Sequence, residues 1–254
     1  MRLESNVLVS IIIPVFNEAA TLPTLLARVA AAPFMKEVIA VDDGSTDDSG
    51  ELLRAVSREW QTSGDPVKRL IVLQHGVNRG KGAAVRTALA HASGTITLIQ
   101  DADLEYDPKD YPALLAPLLE ERLDAVYGSR FLGVRKRRGY RLNAFANALL
   151  TRFANRLLTG LELTDLTSCY KAFRTELLRE LPLVQERFGF EAEVTAQLAE
   201  RGAWIREVPV SYDPRSYAQG KKIRWRDAWP IVQVILGSAA RSLGGGEPIV
   251  IRRR

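Results

Sequence analysis

The chain has 254 residues, 46% of them hydrophobic and 26% charged, with a formal net charge of +5. A chain of this length and composition buries a substantial core, which excludes intrinsic disorder and disulfide-stapled miniature scaffolds. The single cysteine, Cys169, excludes an internal disulfide, and a total of two histidines excludes a zinc-type ligand cluster.

The hydrophobic pattern indicates neither a membrane span nor a secretion signal. The longest nearly apolar stretch, residues 228–240, is shorter than the ~20 residues that cross a bilayer. The first apolar run, residues 7–13, ends in Pro14 without a small-residue cleavage site, which is typical of a first strand. We therefore expect a cytoplasmic protein.

The basic residues are concentrated in two segments. Such segments predict an anionic partner: a nucleotide, a lipid phosphate, a membrane surface or nucleic acid. Nucleic acid is disfavoured, because no recognition motif or repeated aromatic platform accompanies the charges. The first segment contains Arg130, Arg135, Lys136, Arg137, Arg138, Arg141, Arg152 and Arg156, and the second contains Lys221, Lys222, Arg224 and Arg226.

Strand-like and helix-like segments alternate through the first half of the chain. This order predicts right-handed βαβ crossovers and an α/β fold with a mostly parallel central sheet flanked by helices. Ligands of such sheets bind at the carboxyl ends of the strands. The predicted strands are 7–13, 37–41, 69–73, 95–99 and 125–127, and the predicted helices are 19–31, 47–60, 82–92 and 108–120.

The alternation stops after Arg130. We expect a single domain over residues 1–243 with a differently built second half, followed by a flexible tail at 244–254. The C-terminal amphipathic helix has a basic entry and two tryptophans, so it packs on the core or lies on a bilayer surface. The predicted helices are 141–159, 190–201 and 225–243, and the predicted strands are 170–174 and 204–210.

Three carboxylates, Asp101, Asp103 and Glu105, follow the predicted fourth strand. Like charges so close together repel each other unless a cation or a ligand joins them. Oxygen ligands of this kind suit Mg²⁺ or Mn²⁺ bound together with substrate phosphates. A solvated acidic turn before the helix at Pro108 is the alternative that these residues alone leave open.

Several motifs in combination resemble the family 2 glycosyltransferases of GT-A fold. The second half is similar to the polyprenyl-phosphate hexose synthases, a group that includes dolichyl-phosphate mannose synthases and dolichyl-phosphate glucosyltransferases. The resemblance covers roughly residues 7–236. The motifs are SIIIPVFNE (10–18), VDDGSTD (41–47), NRGKGAA (78–84) and QDADLE (100–105) in the first half, and GSR (128–130), DLTSCYK (165–171), RFGFE (187–191) and YAQGKKI (217–223) in the second.

The resemblance implies a nucleotide-sugar-binding half, 1–130, and an acceptor half, 131–243, that ends in the membrane-surface helix. By this resemblance Asp103 and Glu105 would bind Mg²⁺ or Mn²⁺, and Glu105 stands where the mannose synthases commonly have glutamine. Asp165 would shape the donor-sugar pocket together with Lys171. Because Arg130 directly follows the predicted fifth strand, we interpret Arg130 and Arg141 as residues that hold the acceptor phosphate, and a solvated loop is the alternative for this cluster. The implied donor-binding residues are Pro14, Phe16, Glu18, Val41, Asp43, Lys81, Asp101, Ala102, Asp103 and Lys171, and the implied catalytic residues are Asp101, Asp103, Arg130, Arg141 and Asp165.

The implied activity is inverting, metal-dependent transfer of a hexose, glucose or mannose, from a UDP- or GDP-linked donor to a polyprenyl or dolichyl phosphate. A phosphate acceptor is already ionised and needs no general base. With a hydroxyl acceptor, Asp165 would be the candidate base. A non-catalytic nucleotide-sugar-binding partner of a membrane protein is a third interpretation. We expect peripheral association with the cytoplasmic membrane face, and the sequence leaves the oligomeric state open.

Three residues have ordinary interpretations. His75 is interpreted as a loop residue and His91 as a surface residue of a helix, since no positioned acid or nucleophile lies near either in sequence. Cys169 is interpreted as a small packing residue.

Overall fold

The computed structural model describes residues 7–63, 69–132, 141–158, 161–187, 189–215 and 228–243. Outside these ranges lie the predicted basic residues 135–138, the second basic segment at 221–226 and the tail at 244–254. Arg141 is the first residue of a described helix, but its side chain is outside what the structure describes.

The described residues form one sheet. Its strands are β1 (Val9–Val15), β2 (Lys36–Asp42), β3 (Arg69–Gln74), β4 (Ile96–Ile99), β5 (Ala125–Ser129), β6 (Lys171–Arg174) and β7 (Ile205–Pro209). The strand order is β3-β2-β1-β4-β6-β5-β7, and the pairs are parallel except where β6 runs antiparallel to β4 and β5. The predicted mostly parallel sheet is thus confirmed.

Helices cover both faces of this sheet. They are α1 (Leu22–Ala30), α2 (Ser49–Thr62), α3 (Lys81–Leu89), α4 (Tyr111–Glu120), α5 (Arg141–Leu157), α6 (Thr175–Glu180), α7 (Phe190–Glu200) and α8 (Ala228–Leu243). Alternate residues of β1 enter opposite cores: Ile11 and Ile13 pack with α1 and α4, whereas Ile12 packs with α3 and α7. This explains the continuous apolar runs, because each strand is buried on both sides.

Strand β1 continues through Pro14 to Val15, whereas the predicted strand ended at Ile13. Ile12 O accepts a hydrogen bond from Gln100 on the β4 side, and Val15 O accepts one from Asp43 on the β2 side. By this alternation the position of the missing Pro14 N–H faces β4, whose last residue is Ile99. Proline is tolerated there because no ladder bond is lost.

The antiparallel strand β6 brings the second half of the chain to the ligand-binding edge. Its first residue, Lys171, pairs with Ile99 near the end of β4 and with Tyr127 in β5. The loop that precedes β6 therefore lies at the edge where β4 and β5 end. Asp165 reaches the same edge as Asp101 and Arg130 for this reason.

Candidate active site

The predicted metal-binding carboxylates lie together after β4. Asp103 Oδ1 accepts a hydrogen bond from the backbone N–H of Glu105 at 3.1 Å, and Asp103 Oδ2 lies 3.2 Å from Arg215 Nη2. Burial, followed by the charges of Asp101 and Glu105, raises the pKa of Asp103 to about 7. Lost hydration and like-charge repulsion thus both destabilise the ionised form, which is the situation that a bound cation relieves.

Arg215 is the main cation of this cluster, and sequence reasoning missed it. Its guanidinium forms a bidentate ion pair with Glu18 at 2.9 and 3.1 Å and also contacts Asp103. Glu18 is in turn fixed by an accepted hydrogen bond from Thr21. Arg215 stands two residues before the YAQGKKI motif, so its position beside that motif was the available signal.

Glu105 anchors the segment that carries Arg215. Its Oε2 accepts a hydrogen bond from Tyr212 Oη at 2.7 Å, and its Oε1 accepts one from the Arg215 backbone N–H at 2.8 Å. An ionised carboxylate has about four acceptor sites, so both oxygens retain capacity for a cation. Glu105 therefore has a structural contact at each oxygen in addition to its predicted metal-binding role.

Lys81 lies between two carboxylates from different halves of the chain. Its Nζ is 2.6 Å from Asp101 Oδ1 and 3.0 Å from Glu191 Oε1. Burial opposes its charge, but the charges of Asp101 and Glu191 raise the pKa of Lys81 well above its ordinary value. The donor contact implied for Lys81 would require the ammonium to share or exchange these partners.

Asp43 has every acceptor site occupied. Oδ1 accepts hydrogen bonds from His75 Nδ1 at 2.6 Å and from the Arg79 backbone N–H at 2.9 Å. Oδ2 accepts from Asn78 Nδ2 at 3.0 Å and from the Gly80 backbone N–H at 2.7 Å. Four donors match the roughly four acceptor sites of a carboxylate, so Asp43 shapes the loop before α3.

Arg130 and Asp165 form a buried ion pair. Arg130 donates from Nε and Nη2 to the two oxygens of Asp165 at 2.7 and 2.6 Å, and its backbone N–H donates to Oδ2. Nη2 also donates to Thr167. Glu207 on β7 holds the loop by accepting from the backbone N–H of Asp165. Asp165 thus orients Arg130, and this geometry disfavours Asp165 as a general base.

Lys171 and Cys169 lie beneath the sheet edge. The Lys171 side chain has no exposed surface, and its Nζ donates to Leu166 O at 3.2 Å and sits 3.8 Å from the centroid of the Tyr127 ring. Burial lowers the pKa of Lys171 to about 8. Burial raises the pKa of the Cys169 thiol, which lies 3.3 Å from Glu191. Cys169 therefore stays a protonated packing residue.

Two predicted donor-binding side chains belong to the core. Val41 is fully buried in the core that contains α3, and Ala102 packs in the core on the opposite face. Any contact that they make with a donor is restricted to their backbone atoms. Pro14 and Phe16 remain partly exposed at the same edge as Glu18.

A divalent cation fits this edge only if the carboxylates and the substrate phosphates bind it together. Among the residues that the structure describes, no three His, Cys, Asp or Glu side chains are arranged to hold a metal ion alone. Asp103 nevertheless has the raised pKa of a carboxylate that lacks a full counter-charge. Mg²⁺ is commonly held by one or two carboxylates together with substrate phosphates, which matches this donor set.

Comparison with known families identifies the architecture. A model of "Glycosyl transferase family 2" matches residues 10–182, about two thirds of the chain. The chain belongs to this family. The prediction of a family 2 glycosyltransferase is thereby confirmed.

Three curated relatives show which proteins this glycosyltransferase is similar to. Glycosyltransferase AglJ of Haloferax volcanii is 33% identical over 82% of the chain and 63% of its own length. An undecaprenyl-phosphate 4-deoxy-4-formamido-L-arabinose transferase of Shewanella sediminis and a dodecaprenyl-phosphate galacturonate synthase of Rhizobium johnstonii are each 31% identical over 84% of the chain and 61% of their own lengths. The chain thus spans about three fifths of the length of the curated relatives it matches.

Solved structures show the same fold. Glucosyl-3-phosphoglycerate synthase from Mycobacterium tuberculosis, in complex with Mn²⁺, UDP-glucose and phosphoglyceric acid, superposes with a TM-score of 0.68. It is 24% identical, and the match covers 92% of this family 2 chain and 80% of the other. This likeness confirms the GT-A fold.

Proposed function

We propose that this family 2 glycosyltransferase transfers a hexose, glucose or mannose, from a UDP- or GDP-linked donor to a polyprenyl phosphate. Residues 1–130 would bind the donor, and residues 131–243 would bind the acceptor. Two relatives are named for polyprenyl-phosphate acceptors, which supports the acceptor class. Their names also include an arabinose derivative and galacturonate, so the donor is the part of the proposal that needs testing first.

The observation that carries this proposal is the position of Tyr212. The Arg130 guanidinium lies 5.1 Å from the centroid of the Tyr212 ring, and Tyr212 Oη donates to Glu105. One side chain therefore joins the residue proposed for the acceptor phosphate to the carboxylates proposed for the donor metal. This adjacency is what transfer between the two substrates requires.

The carboxylates and Arg130 would have separate chemical roles in this transfer. Asp103 and Glu105, together with the donor diphosphate, would hold Mg²⁺ or Mn²⁺, whose contribution is to neutralise charge on the departing nucleoside diphosphate. Arg130 is held by Asp165 in one orientation, so little freedom is lost when it meets the acceptor phosphate. The acceptor oxygen is already ionised, and no residue has to remove a proton from it.

A donor and acceptor screen tests the proposal. Purified protein is incubated with Mg²⁺ or Mn²⁺, a detergent-dispersed polyprenyl phosphate and radiolabelled UDP- or GDP-linked glucose, mannose or galacturonic acid. We expect label in the organic phase with one donor and none when the lipid lacks its phosphate. Transfer to a free lipid alcohol would instead support a hydroxyl acceptor. Tight donor binding without turnover on any acceptor would support the non-catalytic interpretation.

An enzyme with the proposed lipid acceptor must act at a membrane surface. Helices α5 and α8 expose apolar side chains that are suited to contact such a surface. On α8, Ile231 and Ile235 are buried, whereas Trp229 is 64% exposed on the other face. The neighbouring α5 exposes Phe145 by 71% and Leu149 by 61%. Within the described residues, no helix is long and apolar enough to span a membrane. We propose that this α5/α8 surface contacts the bilayer interface.

Liposome flotation tests the membrane contact. Phe145→Ser combined with Trp229→Ser should reduce binding to anionic vesicles while sparing turnover of a short acceptor in detergent. Val184→Ser is the matched control, since Val184 is equally exposed at 69% but lies elsewhere. Equal flotation of the double variant and the wild type would contradict the contact.

A further inference from the structure

His75 connects two elements of the donor half. It directly follows β3, and its ring is almost completely buried. Nδ1 lies 2.6 Å from Asp43 Oδ1 after β2, and Nε2 lies 2.9 Å from Thr87 Oγ1 on α3. The ring is therefore fixed at both nitrogens, which an ordinary loop histidine is not.

The contact with Asp43 selects one tautomer of the neutral ring. An ionised carboxylate only accepts hydrogen bonds, so the proton of a neutral His75 must be on Nδ1. Nε2 of that tautomer is an acceptor, and the Thr87 hydroxyl can donate to it. Asp43 thus selects this tautomer, and Thr87 is compatible with it.

The remaining donors to Asp43 all come from the loop at 76–80. The backbone N–H groups of Arg79 and Gly80 are successive, and together they enclose the carboxylate in the manner of an anion-binding nest. Gly80 has φ +103°, and a side chain there would collide with Glu186 O. Val77 in the same loop is largely exposed, so its side chain adds little packing, and the three hydrogen bonds to Asp43 help to fix the path of the loop.

This loop reaches the proposed nucleotide-sugar site at two points. It leads directly into Lys81, whose ammonium contacts Asp101 and Glu191. It also packs on the loop after β2, since a Cβ at Gly44 would lie 2.7 Å from the carbonyl carbon of Val77. A change in the orientation of Asp43 would therefore move both Lys81 and the edge after β2.

We propose that His75 is a positioning residue for the nucleotide-sugar site, because it orients Asp43 and thereby fixes the 76–80 loop ahead of Lys81. The role rests on the proposed function, since it concerns the donor of that reaction. Within the described residues, the His75 side chain hydrogen-bonds to Asp43 and Thr87, and not to the metal-binding carboxylates or to Arg130. Its effect is thus expected on donor binding and not on the chemical step.

Two substitutions of His75 distinguish the contributions of the hydrogen bonds made by its two ring nitrogens. The amide nitrogen of Asn reaches the place of Nδ1, and the longer Gln places its amide near Nε2. His75→Gln therefore loses the bond to Asp43, and we expect donor KM to rise on the order of 10-fold, the size of one hydrogen bond to a charged group. The kcat should change less than about 2-fold, since ground-state positioning of the donor is what is lost. His75→Asn should stay near the wild type, and His91→Gln is the matched control at the exposed second histidine.

Measurements on the protein alone keep this test independent of turnover. With two histidines in the chain, ¹⁵N spectra of the imidazoles are simple to assign, and neutral His75 should carry its proton on Nδ1. Amide hydrogen exchange at Arg79 and Gly80 should accelerate in His75→Gln and not in His75→Asn. A proton on Nε2, unchanged exchange, or equal loss of kcat in both variants would overturn the inference. Failure of the wild type to bind any nucleotide-sugar would overturn the proposed function, while the exchange data would still report on the loop.

Discussion

Asp43 and Asp103 are the same residue type at the same edge of one sheet, and their surroundings give them opposite properties. Asp43 follows β2 and accepts four hydrogen bonds, three of them from a single loop. Asp103 follows β4, shares one guanidinium with Glu18, and has its pKa raised to about 7 by burial and by Asp101 and Glu105. A carboxylate with filled acceptor sites organises the protein, whereas one with too little counter-charge is suited to bind a cation.

The largest expected effect is the loss of activity in Asp103→Asn. The amide keeps the shape but removes the charge that would hold the cation against the diphosphate, so kcat/KM should fall on the order of 10²-fold or more. The melting temperature should not fall, because a destabilised charge is removed from a partly buried site. Steady-state kinetics with a metal titration and thermal unfolding measure both quantities.

Asp107→Asn is the control for this substitution. Asp107 lies on the same loop and pairs with Arg28 and Lys109, away from the carboxylate cluster. The control should retain activity within a few-fold, because exposed ion pairs contribute little. Wild-type rate and wild-type metal dependence in Asp103→Asn would exclude Asp103 as a metal ligand.

Asp43→Asn should show the reverse pattern. The amide nitrogen cannot accept, so two of the four donors lose their partner and the 76–80 loop loosens. We expect donor KM to rise on the order of 10-fold, and the melting temperature to fall by roughly 5 °C if about 2 kcal/mol is lost. Differential scanning calorimetry and donor saturation curves test this. A variant that keeps its melting temperature and donor KM but loses kcat would remove the distinction between the two carboxylates.

Glu105 sharpens the comparison, because both of its oxygens accept hydrogen bonds and it also lies in the carboxylate cluster with Asp101 and Asp103. Glu105→Gln keeps one acceptor oxygen for the Arg215 N–H and an amide that can donate to Tyr212 Oη, so activity should fall by no more than about 3-fold. Glu105→Ala releases both contacts and should lose on the order of 10-fold in kcat/KM. Equal, severe losses would show that the negative charge is required. Equal, negligible losses would remove Glu105 from the site.

The sequence predicted the strands and most helices because their signals are local. Buried strands are short apolar runs, and the ends of β2, β4 and β5 directly precede the motif residues Asp43, Asp101 and Arg130. Helix α6 was missed, since six residues are too few to show a helical period. The extension of β1 through Pro14 was missed because it depends on where the neighbouring strand ends.

The contacts that complete the site could not be predicted in the same way. Arg215 meets Glu18 across 197 positions, and Tyr212 meets Glu105 across 107. His75 and Glu207 act through partners that no short-range pattern indicates. The residues that bear the chemistry are thus visible in motifs, whereas the residues that orient them become visible only when the sheet edge is assembled.

Lys171 extends the comparison to a buried cation. Its expected effect is on the free energy of unfolding and not on turnover. Burial lowers the pKa of Lys171 to about 8, whereas a lysine in the unfolded chain titrates near 10.5. Between these pH values the unfolded state binds more protons, so the stability contributed by this site rises as the pH increases from about 8 to about 10.5. The free energy of unfolding, relative to Lys171→Met, should therefore increase over this range by at most about 3 kcal/mol. Urea unfolding at several pH values measures it, with Lys109→Met as the exposed control. A pH-independent difference between the wild type and Lys171→Met would show that Lys171 keeps an ordinary pKa, and that burial under the Tyr127 ring does not disfavour its charge.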